Sequence, residues 1–194
     1  MEKTEKLKDG TSVLIKELKK EDLDRLVNFY RTLPVGDRKY LRVDVTNKEV
    51  VARRLDLMKK GGVFRLVADH AGKIIAEGAL ELAEEDWRKH QGEMRVIVAK
   101  PFQRKGLGAI MMRELYFLAK KKKLSQVVVQ MMRPQKAARK ICHKLGFLEQ
   151  HIIPDYVKDL DGKAQDMILM MADIKEFWKE LDHFYQDDDW RRSR

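Results

Sequence analysis

The chain has 194 residues, 44% hydrophobic and 37% charged, with a formal net charge of +10 at pH 7. That length supports one compact domain with a real core, and the composition excludes a disordered chain. No apolar run approaches the ~18 residues needed to cross a bilayer, and the single cysteine, Cys142, excludes an internal disulfide and a multi-cysteine zinc site. The charged start "MEKTEKLKDG" shows no secretory h-region, so a cytoplasmic location is expected and no membrane partner is. The positive charge suits an anionic ligand, a nucleic acid or an acidic protein, and does not choose among them.

In chain order, "TSVLIKEL" (11–18) reads as a first strand. "KKEDLDRLVNFYRTL" follows with Leu23, Leu26, Val27, Tyr30 and Leu33 on one helical face, until Pro34, Gly36 and Asp37 break the pattern. Thr46 and Glu49 form a capping box for a second helix lined by Val51, Leu55 and Met58, which Gly61-Gly62 ends. "VFRLVAD" and "KIIAEGALEL" flank His70-Ala71-Gly72 as an antiparallel hairpin, and "GEMRVIVA" is a further strand. The next helix carries Leu107, Met111, Leu115 and Leu118 on one face, and the "KKKK" run at 120–123 closes it as a solvated end.

"SQVVVQMM" is another strand, after which Pro134 opens the helix "QKAARKICHKL", with Gly146 at its C′ position. "IIPDYVKD" and "KAQDMILMMA" flank an Asp161-Gly162 hairpin turn. An amphipathic helix begins near Asp173 with Ile174, Phe177, Trp178 and Leu181, and "QDDDWRRSR" reads as a frayed tail. Nothing repeats and no linker divides the chain. A single mixed α/β domain over 1–172 is expected, followed by the helix 173–186 and the tail 187–194.

The stretch "QRKGLGAIMMREL" (103–115) follows an apolar strand and opens a helix. A helix N-terminus presents N–H groups without intrahelical partners and a partial positive charge, so it attracts phosphate. Gly106 and Gly108 allow close approach there, beside Arg104 and Lys105. Spacing excludes a dinucleotide G-x-G-x-x-G loop, since Met111 stands at the third position, and no Walker string exists. On these residues alone, an anion cradle and a plain helix start are equally open.

"QRKGLG" after a strand resembles the Q/R-x-x-G-x-G/A motif of the GNAT superfamily of N-acetyltransferases. "GEMRVIVAKPFQRKGLG" is similar to that family's fourth strand and cofactor loop, and "AARKICHKLGF" to its second conserved block. The order of elements from Val13 to Met171 also agrees, and "LPVGDRKYLRVDVTNKEVVARR" bears a weaker likeness to members that acylate protein lysines. The resemblance implies an α/β (α+β) fold, a mixed and mostly antiparallel sheet flanked by helices, with splayed parallel strands 4 and 5 holding acetyl-CoA. It implies that the backbone of Gln103, Arg104, Lys105, Gly106, Leu107, Gly108 and Ala109 holds the pyrophosphate. Met94 to Val98, chiefly Val96, Ile97 and Val98, would run beside the pantetheine arm. Gln135 would touch that arm in place of the usual asparagine, and Arg139 would add a cofactor contact. No metal is implied.

The implied chemistry is attack of an amine on a thioester. A lysine amine of pKa about 10.4 is neutral in roughly one copy in 2,500 at pH 7, which corresponds to about 4.6 kcal/mol. A positioned carboxylate can accept the amine proton. Glu93 starts the fourth strand at the offset of the catalytic glutamate in the protein-lysine branch. Arg95 lies on the same face about 7 Å along, where the family usually has a small residue. A Glu93–Arg95 pair would lower the Glu93 pKa and weaken the base, and is itself an alternative, non-catalytic reading. Glu77 and Glu81 are fallback bases. Cys142 stands where many members carry the tyrosine that protonates the leaving thiolate. It is a candidate acid, or else a small core residue with the proton coming from solvent. Tyr156 is another possible acid. His143 is about 100° around the helix from Cys142, which disfavours a Cys–His pair. His70, His90, His151 and His183 show no metal-ligand spacing.

The expected function is acetyl transfer to a primary amine, foremost a protein lysine, with an acidic protein as acceptor. The alternatives are a small-molecule amine acetyltransferase and an inactive CoA-binding sensor or scaffold. Nucleic-acid binding is not expected, because no recognition motif appears and aromatics are only 8%.

Overall fold

In the computed structural model, residues 2–59 and 61–186 are described, so the frayed tail expected at 187–194 lies outside the described residues. One eight-stranded sheet runs in the order β1-β2-β3-β4-β5-β6-β8-β7. Its strands are β1 (Glu2–Lys6), β2 (Ser12–Glu17), β3 (Val63–His70), β4 (Lys73–Leu82), β5 (Gln91–Val98), β6 (Gln126–Met132), β7 (Leu148–Lys158) and β8 (Ala164–Asp173). The helices are α1 (Leu23–Thr32), α2 (Val35–Arg38), α3 (Lys48–Met58), α4 (Leu107–Lys121), α5 (Lys136–Lys144) and α6 (Ile174–Gln186). Every pairing is antiparallel except β5 with β6. The mixed sheet expected from the sequence is therefore present, and the predicted fourth and fifth strands are its β5 and β6.

The count shifts because a strand precedes the one predicted at 11–18. β1 reads "EKTEK", without an apolar residue, and is held at the edge by pairing with β2. Edge strands use such charged sequences because they discourage pairing with other chains. Two local corrections follow the same logic of partners. Pro34 does not leave a bare loop but precedes the one-turn α2. The cap of α3 is Asn47, not Thr46: its side chain accepts hydrogen bonds from the N–H groups of Glu49 and Val50.

Two apolar layers flank the sheet. On one face α1 and α3 bury Leu26, Val27, Phe29, Val51 and Leu55 against Val67 and Ile74. On the other, α4, α5 and α6 bury Leu107, Ile110, Met111, Leu115, Phe147 and Phe177. Each large side chain fully removed from water contributes about 2 kcal/mol of hydrophobic stabilisation. Gly78 explains how α4 comes so close to β4: a Cβ there would sit 3.2 Å from Met111 Cε and 3.3 Å from Leu115 Cδ1. The C-terminal helix belongs to the same layer. Its Trp178 stacks on Tyr116 of α4 at 4.8 Å, and Phe177 and Leu181 are buried.

The two hairpins read from the sequence are present. Ala71 and Gly72 both have positive φ between β3 and β4, as a two-residue hairpin turn requires. Between β7 and β8, the Asp159 carboxylate accepts from the N–H groups of Asp161 and Lys163.

Candidate active site

The parallel pair β5–β6 is short. Its register covers Gln91 with Gln126, Gly92 with Val127 and Glu93 with Val128, and then stops. From Met94 onward β5 keeps its pairing with β4, while β6 from Val129 follows β8. The two strands fork at Glu93. Beyond the fork, the backbone polar groups of Val96 and Val98 that face β6 have no strand partner among the described residues, while those of Ile97 face β4; this is the opening a strand-like ligand needs. Val98 is partly closed: its carbonyl accepts a hydrogen bond from the Gln103 side chain at 3.0 Å.

The loop at the end of β5 has the geometry of an anion cradle. Arg104 has φ +60° and Gly106, the N-cap of the fifteen-residue α4, has φ +86°. Left-handed residues turn successive N–H groups toward one side, and the helix adds its positive end. Among the described residues, the N–H groups of Arg104 to Ala109 have no hydrogen-bond acceptor. That of Gln103 is already used by the Lys100 carbonyl at 3.3 Å. A Cβ on Gly108 would meet only Val98 Cγ2, at 3.9 Å, so the space beside these amides is open. These features fit a pyrophosphate.

Lys105 is directed elsewhere than the sequence suggested. Its ammonium pairs with Asp9 at 2.9 Å, and its carbonyl accepts from the Lys8 N–H at 3.1 Å. The β1–β2 turn thus braces the loop from behind, a contact with no local signature in the sequence.

At the fork, Glu93 is bonded to the Arg42 guanidinium, which also donates to Gln130 Oε1 at 3.2 Å. The Glu93–Arg95 pair of the alternative reading is not formed; Arg95 turns to Glu81 on the neighbouring strand. The expected lowering of the Glu93 pKa is likewise corrected. Burial raises it above the usual carboxylate range, outweighing the opposing pull of Arg42 and Arg95. A raised carboxylate is better matched to accepting a proton near neutral pH.

Neither fallback base is available in the same way. Glu77 is buried in a pair with the equally buried Arg65. Glu81 is surrounded by guanidinium groups: Arg95 in direct contact, Arg54 at 3.4 Å, Arg42 at 3.7 Å and Arg65 at 3.9 Å. Arg42, Arg54 and Gln130 were missed in the sequence because no spacing links them to the strand they serve.

The remaining candidates lie on or beyond α5. Cys142 is buried in the apolar layer with Leu145 and Phe147, and desolvation pushes its thiol up to about 11. Gln135 caps α5, and its Oε1 accepts from the Met132 N–H at 2.8 Å, which leaves its amide NH₂ for a ligand. Arg139 pairs with Glu149 at 2.7 Å. It lines a shallow basic depression of about 730 Å³ with Arg133, Lys136, Lys140, His143 and Lys144. Tyr156 is exposed on the edge strand β7. His70 Nδ1 lies 2.8 Å from the Ser12 carbonyl, where the end of β3 meets the start of β2. Among the described residues, no group of three or more His, Cys, Asp or Glu is placed to hold a metal ion.

Residues 61–149 match the family model described as "Acetyltransferase (GNAT) domain". No curated protein matches the chain. Solved structures of similar fold include a ribosomal-protein-alanine N-acetyltransferase from Brucella melitensis, at 19% identity and TM-score 0.70, covering 82% of this chain and 98% of that one. Another is yncA, a putative acetyltransferase from Salmonella typhimurium solved with its cofactor acetyl-CoA, at 19% identity and TM-score 0.71, covering 84% and 94%. A third is the GNAT domain of S. lividans PAT, at 16% identity and TM-score 0.71, covering 89% and 96%. The matched segment holds β3 to α5, and with them the fork, the cradle and Glu93. On these grounds residues 61–149 are similar to the acetyltransferase domain of the GNAT superfamily, and the chain has the fold of these acetyltransferase structures.

Proposed function

We propose that the protein transfers an acetyl group from acetyl-CoA to a primary amine, a protein lysine foremost, with Glu93 as the general base. One observation carries this reading: the parallel strands part at Glu93 itself, so the base stands where the opening between β5 and β6 begins.

Acetyl-CoA would be held by the Arg104–Ala109 amides at its pyrophosphate and by the free edge of β5 along its pantetheine arm, and it supplies the thioester. The amine must be neutral to attack. Its nitrogen forms the new bond to the carbonyl carbon, the carbon–sulfur bond breaks, and the amine proton passes to Glu93, directly or through water. Arg42 blocks this transfer as placed, so in this reading the amine enters where that guanidinium now lies. The leaving thiolate takes its proton from solvent. Burial of Cys142 in the apolar layer, with its raised pKa, supports a packing role for that residue over the acid role.

The lysine preference is supported by the weaker N-terminal likeness and by the +10 charge, which draws acidic macromolecules. The test is CoA release, followed with a thiol-reactive dye, for wild type and Glu93→Gln over protein and small-amine acceptors. Turnover on a protein, cut about 10²-fold or more by Glu93→Gln, supports base and acceptor together. Acetyl-CoA binding without turnover on any acceptor supports a CoA-binding sensor instead.

A further inference from the structure

The sheet face beside Glu93 holds an unequal set of charges. β3, β4 and β5 contribute Arg65, Glu77, Glu81, Glu93 and Arg95, α3 adds Arg54, and the α2–α3 connection adds Arg42. Four guanidinium groups therefore face three carboxylates. Glu77 is committed to Arg65 and Glu93 to Arg42. Arg54 and Arg95 are left to share Glu81, which Arg42 and Arg65 also approach.

This excess is not on open surface, where solvent would screen it. The side chains of Arg54, Arg95 and Glu81 are only 20–25% exposed. Burial, and then the charges of Arg95 and Arg65, disfavour the charged form of Arg54. A second sign of the same shortage is Arg65, 4% exposed, whose buried Nε has no hydrogen-bond partner among the described residues. Buried donors and unbalanced charges are costly, and each calls for an explanation, of which a ligand that completes the set is one.

We infer that the acceptor carries a carboxylate close to its reactive amine, and that Arg54 and Arg95, joined by Arg42, receive it. Guanidinium groups suit this because their planar donors match a carboxylate two bonds at a time. The inference rests on the amine-acetylation reading and narrows it. Arg42 would exchange Glu93 for the acceptor's carboxylate, freeing the base as the amine arrives. A free amino acid and an amine flanked by acidic residues in a protein share this chemistry. A polyamine lacks it and would meet net positive charge.

The experiment compares matched acceptors by CoA release and, separately, by calorimetric binding to the CoA-saturated protein. One arm pairs phenylalanine with phenethylamine. The other pairs peptides having a single lysine flanked by aspartate or by glycine, with spermidine as the cationic control. The expected result is a kcat/KM at least about tenfold higher for the carboxylate-bearing member of one pair, and the arm that responds identifies the source. Arg54→Gln should erase that ratio by raising KM for this member alone, while acetyl-CoA affinity is unchanged. Arg54→Lys, which keeps charge but not the fork, should restore part of it and guards against a folding defect. Equal rates within both pairs, a preference for spermidine, or an equal loss on both members in Arg54→Gln would overturn the inference. Carboxylate-selective binding without CoA release from any acceptor would instead overturn the acetyl-transfer reading and leave the carboxylate site standing. Absence of selective binding as well as turnover overturns both.

Discussion

Arg42, on the connection between α2 and α3, is hydrogen-bonded to Glu93, the last residue of β5 paired with β6 before the two strands part. The contact joins residues 51 positions apart and sets the electrostatics of the fork. Burial raises the Glu93 pKa, Arg42 and Arg95 draw it down, and Glu81 raises it again.

Removing Arg42 should therefore push the Glu93 pKa higher still. For a base, the rate rises with pH as the carboxylate loses its proton. In wild type this ascending limb of kcat/KM should lie above the usual carboxylate range. In Arg42→Gln it should move to higher pH, and in Glu93→Gln it should disappear. A limb that stays in place in Arg42→Gln would mean that another group titrates.

The two glycines of the cradle should separate folding from binding. Gly106→Ala places a side chain at φ +86°, where a left-handed non-glycine residue costs about 1–2 kcal/mol, so the melting temperature should fall. Gly108→Ala meets nothing closer than 3.9 Å and replaces a helix glycine, so stability should hold or rise by up to about 1 kcal/mol. Its methyl group nevertheless fills the space beside the free amides. Calorimetry should show weaker acetyl-CoA binding in a fully folded Gly108→Ala protein. Unchanged affinity would place the pyrophosphate elsewhere.

Cys142 offers a test by opposites. If it packs the core, Cys142→Ala should keep activity well within the ~10²-fold that loss of a general acid costs. Cys142→Ser, which keeps a proton donor but buries a hydroxyl, should be the less stable of the two, by about 1–3 kcal/mol. An acid role predicts the reverse order in activity, with serine retaining more than alanine.

The brace behind the loop predicts a gain. Asp9 neutralises Lys105 at 2.9 Å, beside the proposed pyrophosphate site. Asp9→Asn should free that cation and tighten acetyl-CoA binding a few-fold at low salt, with the gain lost at high salt as the Debye length shrinks. A loosened cradle would instead show as weaker binding at every ionic strength.

The local grammar of this chain was legible because its causes are local. The alternation of β4 and β5, the glycines after β5, the paired turn residues Ala71-Gly72 and Asp161-Gly162, and the apolar stripe of α4 each act within a few residues. They were enough for the mixed sheet, for the turn that opens α4 and for the place of Glu93 on its strand. What lay beyond reach had distant causes. β1 has no apolar pattern and exists because β2 offers it an edge. Thr46 and Asn47 are equally plausible caps until the chain's entry into α3 selects one.

The candidate site divides the same way. Sequence alternation placed Glu93 and Arg95 on one face and suggested that they pair, since nothing in the string showed nearer partners. Only the packed sheet brings Glu81 to Arg95 and Arg42 to Glu93, and only burial there decides whether the carboxylate is raised or lowered. Side-chain direction along a strand follows from its pleat and can be read from sequence. The sign of a pKa shift depends on desolvation and on charges arriving from β4, α3 and the α2–α3 connection, so the tertiary fold alone determines it.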